Sequence, residues 1–413
     1  MFLKGGGPME RVIYHCDCNS FYCSVELLSH PELRDVPAAV CGDPTSRHGI
    51  ILAKNEPAKK CGVRTAETIW QARQKCPDLI LLPPHHDQYR KFSRVINEIY
   101  GQYTDLVEPF GIDESWLDIT GSMHLFGGDA KAIADGIRRR IAGELGLTLS
   151  VGVSFNKVFA KLGSDYRKPD ATTVIPPEGW QAIVWPQPLG SLLYAGPAAQ
   201  RALGQYGIRT IGALAAAEPE LPERLLGKLG RQLWNFANGR DASPVRPQHE
   251  KEPAKSVGNS FTFRENLTTR EQVLQGMSLL CDSVASRLRQ QGLYCGAVQV
   301  GLRDPAFRDL SRQKHLSGST HSMRELLRAA MELTDSVWKP PSPIRLLSVT
   351  ALALTDQEET YVQESLFEPR QSGERLERLE ETVDAIRKKY GGKAIVYGDA
   401  ASQAGRLHRA DEE

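Results

Sequence analysis

Two stretches of this chain put carboxylates where a β-branched or aromatic run meets a turn. They are Tyr14-His15-Cys16-Asp17-Cys18-Asn19-Ser20-Phe21-Tyr22 and Phe110-Gly111-Ile112-Asp113-Glu114-Ser115-Trp116-Leu117-Asp118-Ile119. An acid at a strand tip is costly to bury unless a cation meets it, because the carboxylate loses its hydration. Asp17, Asp113 and Glu114 are hard oxygen donors with few histidines nearby, a set suited to Mg²⁺ shared between carboxylates and substrate phosphates. Two such ions serve in-line phosphoryl transfer by activating a hydroxyl and stabilising a leaving pyrophosphate. Taken singly, each stretch reads better as structure alone, Asp17 capping a turn and Asp113-Glu114 on a solvated hairpin. The rest of the chain decides between these readings.

The apolar pattern around the two stretches predicts an α+β, multidomain chain. Val12-Ile13-Tyr14 reads as a strand and Phe21 to Leu28 as a helix. Tyr89 to Tyr103 carries Phe92, Val95, Ile96, Ile99 and Tyr103 on one helical side. A strand ending at Asp113, a partner strand over Trp116 to Ile119, a helix from Ala130 to Leu145, a strand from Leu147 to Phe155 and a helix from Asn156 to Tyr166 follow. This order fits a split βαβ, ferredoxin-like unit with a lobe inserted between Phe21 and Pro84. Beyond Pro176, short helices flank glycine turns around Leu193 to Ala198 and Gly207 to Leu214. Leu226-Gly227-Lys228-Leu229-Gly230 opens another helix, expected over Arg231 to Asn238. Such pairs suit a helix-hairpin-helix, whose backbone N–H groups bind a DNA phosphate, and suit an ordinary helical corner as well. Ala242 to Pro253, with three prolines, reads as a linker. Strands are then expected over Lys255 to Phe263, Ala297 to Leu302, Ile344 to Leu354 and Ile395 to Tyr397. Helices over Arg270 to Gln290, Ser322 to Val337 and Glu374 to Tyr390 would cover that four-stranded sheet.

At 413 residues the chain exceeds a single core, and it holds no apolar run long enough for a membrane span. The glycine-rich opening, Met1 to Pro8, reads as a flexible leader rather than a signal peptide. Eight cysteines without paired CxxC knuckles argue against structural zinc. Cys16 and Cys18 alternate with Asp17 and are expected as small buried apolar side chains, in a reducing cytoplasm. Net charge is only +1, yet it is unevenly spread. Arg287 to Arg328 holds eight Lys/Arg against three Asp/Glu, and Asp356 to Asp384 holds ten acids against three bases. This split suggests one face for a polyanion and another turned away from it.

Three motifs in this order are similar to those of Y-family translesion DNA polymerases of the DinB type. They are Asp17-Cys18-Asn19-Ser20-Phe21-Tyr22 with Ser24-Val25-Glu26, then Ile112-Asp113-Glu114-Ser115-Trp116-Leu117-Asp118, then Ser150 to Lys157 running through Ala160-Lys161 to Lys168-Pro169. The resemblance covers about Met9 to Asp399 and implies a right-hand polymerase. Its palm would be 9–20 and 85–175, its fingers 21–84, its helical thumb 176–243, a linker 244–253 and an α+β little finger 254–400, before a tail at 401–413. It further implies that Asp17, Asp113, Glu114 and the Cys18 backbone carbonyl hold two Mg²⁺ ions. Tyr22 would be the steric gate against a ribose 2′-hydroxyl, beside Phe21, although a tyrosine there also suits the core of the first helix. Lys168 would meet the triphosphate of the incoming dNTP, unless it is a solvated loop lysine. The chain departs from the family in the fingers, where relatives carry Tyr-Glu-Ala-Arg and this chain has Glu56-Pro57-Ala58-Lys59. Lys59 keeps a charge there but lacks the bidentate fork of arginine, Glu56 is expected to face elsewhere, and Asn55 or Lys54 is expected to help. Ile50 and Leu52 fall where relatives place small residues over the nascent base pair.

Gln363-Glu364-Ser365-Leu366-Phe367 resembles the peptide by which bacterial polymerases bind the sliding clamp, with Gln363, Leu366 and Phe367 as anchors. The same apolar pair also suits a strand edge. The resemblance implies a monomeric, cytoplasmic, low-fidelity enzyme without proofreading that extends primer-template DNA with dNTPs in damage tolerance. A scaffold protein that had lost catalysis would lack the acids. A nucleotidyl cyclase on the same kind of sheet would have no need for a duplex grip.

Overall fold

The computed structural model describes residues 11–44, 49–250, 253–356, 371–391 and 394–395, with side chains from 378 onward in the last helix. The leader expected at 1–8, the Gln363, Leu366 and Phe367 anchors, the end of the strand expected at Ile395 to Tyr397, and the tail at 401–413 lie outside the described residues. The chain divides into two compact units that part between Lys251 and Glu252.

In the first unit, β1 (Ile13–Cys18), α1 (Phe21–Ser29), β2 (Ala38–Cys41), β3 (Ile51–Lys54), α2 (Glu56–Lys60), α3 (Ile69–Lys75) and β4 (Ile80–Leu82) lead into α4 (His86–Tyr100). Then come β5 (Val107–Pro109), β6 (Glu114–Asp118), α5 (Ala130–Leu145), β7 (Leu149–Ser154), α6 (Lys157–Tyr166) and β8 (Thr172–Val174). A five-stranded sheet has the order β5-β6-β1-β7-β8, with β1 antiparallel to both neighbours. Period-two alternation divides β1 between the two faces of this sheet. Tyr14, Cys16 and Cys18 join Ile96 and Ile99 of α4 and Ile133, Ile137 and Ile141 of α5 in one core. Ile13 packs with Trp116 and Ala160 on the other side, so His15 and Asp17 face α6 as well. Helix α6 lies very close to β7 because residue 152 is glycine. A Cβ there would meet the Ala160 carbonyl oxygen at 1.8 Å.

The inserted lobe is a three-stranded sheet ordered β3-β2-β4. It encloses a small core of Ala39, Cys41, Ile51, Ala58, Val63, Ala72 and Cys76. After β8, the helices α7 (Gln181–Val184), α8 (Pro197–Gly204), α9 (Ile211–Ala215), α10 (Glu220–Leu226) and α11 (Lys228–Ala237) bury Leu203, Ile211, Leu214 and Leu233 together. Helix α11 begins at Lys228, a turn before its expected start. The strand expected to end at Asp113 stops at Pro109. Residues 110–113 make the turn instead, and Phe110 N–H donates to the Glu114 carbonyl at 2.9 Å. The expected linker begins as a fastened segment. Val245 is buried beside Trp116, Lys157 Nζ donates to the Pro244 carbonyl at 3.4 Å, and Gln248 N–H donates to the Asp105 carbonyl at 3.2 Å.

The second unit holds β9 (Val257–Leu267), α12 (Arg270–Gln290), β10 (Tyr294–Arg303), β11 (Asp309–Thr320), α13 (Met323–Val337), β12 (Ile344–Thr355) and α14 (Gln371–Tyr390). Its four-stranded sheet has the order β11-β10-β12-β9. Among the described residues the fourth strand is β11, while the strand expected at Ile395 to Tyr397 runs beyond them. No element is expected over Asp309–Thr320, because it is a polar, largely exposed edge strand with no apolar alternation, the composition that protects an edge from further pairing. The basic stretch is also less basic than its count. Arg289 is buried with Glu380 and Asp384, Arg303 pairs with Asp309, Arg308 with Asp304 and Lys314 with Glu332. Among the described residues no helix is long and apolar enough to cross a membrane.

Candidate active site

The antiparallel register sets Asp17 directly opposite Glu114. The Cys18 N–H donates to the Asp113 carbonyl at 3.1 Å, which clips the hairpin turn onto the end of β1. Cys18 turns its side chain into the opposite core. Alternation puts His15 on the same face as Asp17, and carboxylate oxygens of Asp17 and Glu114 and a ring nitrogen of His15 lie within 4.8 Å of one another. His15 is buried, with Nδ1 2.8 Å from Ser164 Oγ and Nε2 3.2 Å from Glu114 Oε2. Two lysines from α6 and the loop after it complete the cluster. Lys161 Nζ sits 2.5 Å from Glu114 Oε2, and Lys168 Nζ lies 2.6 Å from Asp17 Oδ2 and 2.7 Å from Asp165 Oδ1.

The charges are unevenly balanced. Burial raises the Asp17 carboxyl against the pull of Lys168. Glu114 is also raised by burial, but hydrogen bonds from His15 and Lys161 outweigh this and bring it to about 2. Asp113 goes up to about 6, through burial and the repulsion of Asp17 and Glu114. Burial lowers His15, which favours the neutral ring. Ammonium groups already sit on two of the three carboxylates, while the third is held in their negative field. Such an all-oxygen, over-charged set fits a hard divalent cation.

Tyr22, on the first turn of α1, is stacked on Tyr89 of α4 with ring centroids 4.0 Å apart and planes 11° apart. Its hydroxyl is raised by burial and by the charge of Asp113. Phe21 is buried and packs on the same Tyr89 ring at 6.3 Å. The Tyr89 hydroxyl donates to buried Glu26, whose other oxygen lies 2.9 Å from His85 Nδ1. Asp17, Asp113, Glu114, Tyr22 and Lys168 thus come together. In the lobe, Lys59 Nζ is 2.5 Å from Glu56 Oε1 within α2, so its charge is met by its own helix. Asn55 does not offer a contact to a ligand. It is buried as the N-cap of α2, accepts from Ala58 N–H and Ala38 N–H, and donates to the Val36 carbonyl. Lys54 Nζ donates to Thr65 Oγ1 at 2.8 Å. Leu52 is half-buried against the core of Cys23 and Leu27, whereas Ile50 is 38% exposed.

His15, Lys161 and Tyr89 were not legible as site residues. The alternation of His15 with Asp17 carried a signal for the first, and the helical spacing from Lys157 to Lys161 carried one for the second. Tyr89 had none, since its partner is remote in the chain.

A sheet whose antiparallel centre ends in facing carboxylates, with an aromatic pair and lysines beside them, defines a nucleotidyl-transferring polymerase of the palm type. Residues 16–165 match the impB/mucB/samB family and residues 254–366 its C-terminal domain. The chain is 46% identical to the DNA polymerase IV of Acetivibrio thermocellus, over 94% of this chain and 97% of that protein. It is 37% identical to DNA polymerase IV 1 of Bacillus subtilis, over 94% of this chain and 93% of that one. A solved Y-family DNA polymerase chimera superposes with a TM-score of 0.73 at 22% identity, covering 83% of this chain and 98% of the chimera. The chain belongs to the Y family of DNA polymerases, in its DNA polymerase IV branch. It is a DNA-directed, translesion DNA polymerase, and as such it depends on a divalent metal.

Proposed function

We propose that Asp17, Asp113 and Glu114, with the Cys18 backbone carbonyl, hold two Mg²⁺ ions at the insertion site of this polymerase. The observation that carries this reading is the facing of Asp17 and Glu114 on one sheet face, with Asp113 on the turn clipped to the end of β1 beside them; burial and their charges push its carboxyl up to about 6. When bound, the ions would polarise the primer 3′-hydroxyl and offset the charge of the triphosphate and departing pyrophosphate. The chain's own residues do the rest. Lys168 exchanges its contact with Asp17 for a phosphate oxygen of the dNTP, and Lys161 holds Glu114 ionised and oriented. The ring of Tyr22, backed by Tyr89, lies against the sugar, where a 2′-hydroxyl would clash. Phe21 fixes the position of that ring from the core, and Lys59 reaches the triphosphate once it leaves Glu56.

The five-stranded sheet with 9–20 and 85–175 serves as palm, 21–84 as fingers, 176–243 as thumb, and 254–400 as little finger, joined through 244–253. Primer-template DNA is held through phosphate contacts, which makes affinity sensitive to salt. The enzyme works in the cytoplasm, a reading supported by its eight free cysteines, and as a monomer. Gln363, Leu366 and Phe367 dock it on the sliding clamp, a reading supported by the sequence of that segment.

Primer extension tests the site. Asp113→Ala should lower the insertion rate by at least about 10²-fold with the fold intact by circular dichroism, and a variant that keeps wild-type rate overturns the assignment. Tyr22→Ala should admit ribonucleotides; if it admits no more than the parent, Tyr22 is not the gate. Changing Leu366 and Phe367 together to Ala should remove stimulation by the clamp while leaving distributive synthesis unchanged.

A further inference from the structure

The fingers carry a pair of thiols that the polymerase chemistry does not use. Cys61 is the C-cap of α2 and Cys76 the C-cap of α3, and the fold lays these two helix ends side by side. Lys75 Nζ donates to the Gly62 carbonyl at 3.2 Å. A Cβ added to Gly62 would come within 3.9 Å of Lys75 Cδ. Val63, next along the chain, shares one apolar core with Cys76, Ala58 and Ala72. Burial pushes Cys76 up to about 11, and the neighbouring Cys61 thiol adds to that rise. Cys61 is exposed, whereas the other seven cysteines are buried. A reagent in solution therefore meets Cys61 first, with Cys76 buried in the core that adjoins it.

We propose that Cys61 and Cys76 are a thiol modification site, closing to a reversible disulfide in response to a low-molecular-weight disulfide. The Cys61 thiolate attacks one sulfur of the reagent, forms a mixed disulfide and expels the first reagent thiolate, which takes up the proton that Cys61 gave. The Cys76 sulfur then attacks Cys61 Sγ and expels the second reagent thiolate, which receives the Cys76 proton. The two protein thiols lose two electrons in all, and the reagent is reduced from one disulfide to two thiols. The bond would tie the end of α2, the helix that carries Glu56 and Lys59, to the end of α3. Disulfides with an exposed sulfur are the readily reduced kind, which suits a reversible crosslink in the fingers better than a permanent staple.

The test is to incubate the full chain with oxidised glutathione and then follow intact mass and peptide maps. A species lighter by ~2 Da should form, linking the Cys61 and Cys76 peptides and reverting with dithiothreitol. Cys61→Ser, a substitution at an exposed position, should abolish that species, and Cys76→Ala should stop at the glutathione adduct of Cys61. The proposal is overturned if the wild-type chain stops at that adduct, if both thiols remain alkylatable, or if the mass loss maps to another pair.

Discussion

Lys59 spends its charge on Glu56, three residues away on the same exposed helix face. An exposed ion pair of this kind is worth about 0.5 kcal/mol, so triphosphate binding by Lys59 must first give that up. Glu56→Gln should therefore lower the KM for dNTP about two-fold and leave primer-template affinity unchanged. An unaltered KM in steady-state insertion assays would leave Lys59 as a helix-stabilising residue only. The stack of Tyr22 on Tyr89 is the other residue-scale device. A face-to-face aromatic contact contributes about 1 kcal/mol beyond its buried area, and Glu26 and His85 hold Tyr89 from behind. Tyr89→Leu should loosen the gate and reduce discrimination against ribonucleotides about five-fold, less than Tyr22→Ala does. Competition between dNTP and rNTP in single insertions measures this. Leu52 packs against Cys23 and Leu27 of α1, the helix that carries Tyr22, and Leu52→Ala should improve bypass of a bulky template adduct, as read from extension past the lesion.

At the scale of elements, the position of α6 matters most, because it brings Lys161 to Glu114 and its end leads to Lys168. Gly152 allows that closeness, and a charged cluster locks the N-terminal end of the helix. Lys157 Nζ lies 2.8 Å from both oxygens of Glu108 on β5, and the Arg246 N–H donates to the same carboxylate at 3.0 Å. Burial raises the Glu108 carboxyl, but these partners outweigh it and hold it below the ordinary range. Glu108→Gln leaves Lys157 buried without its counter-charge and should cost about 3 kcal/mol in urea unfolding near neutral pH. Because the folded pKa is depressed, this contribution is present above the ordinary glutamate pKa and is lost as pH falls through the folded value. The gap between the wild-type chain and the variant should therefore be full near pH 7 and close below about pH 4.

At the scale of the whole molecule, the boundary between the two units is set by contacts rather than by composition. The prolines and charges of 242–253 read as a linker, yet Val245, Arg246 and Gln248 belong to the first unit. A fragment ending at Ser243 should melt roughly 5 °C or more below one ending at Glu250, since it loses the burial of Val245 and the Arg246 contact to Glu108. Equal melting temperatures by calorimetry would show that the segment adds no stability. The acidic tips, the paired strands around them and the helical runs were legible because period-two and period-3.6 patterns are local, and they put Asp17, Asp113 and Glu114 at strand ends without any tertiary knowledge. Edge strand β11 escaped because one polar side and an open edge leave no apolar period to read. The sequence by itself determined which acids gather and, through the alternation of β1, that Asp17 faces away from Cys16 and Cys18. Only the tertiary structure decided how they are balanced. Lys161, Lys168, Tyr89 and the Glu56–Lys59 pair act through distances that the fold sets, and electrostatic and stacking energies depend on those distances rather than on spacing along the chain.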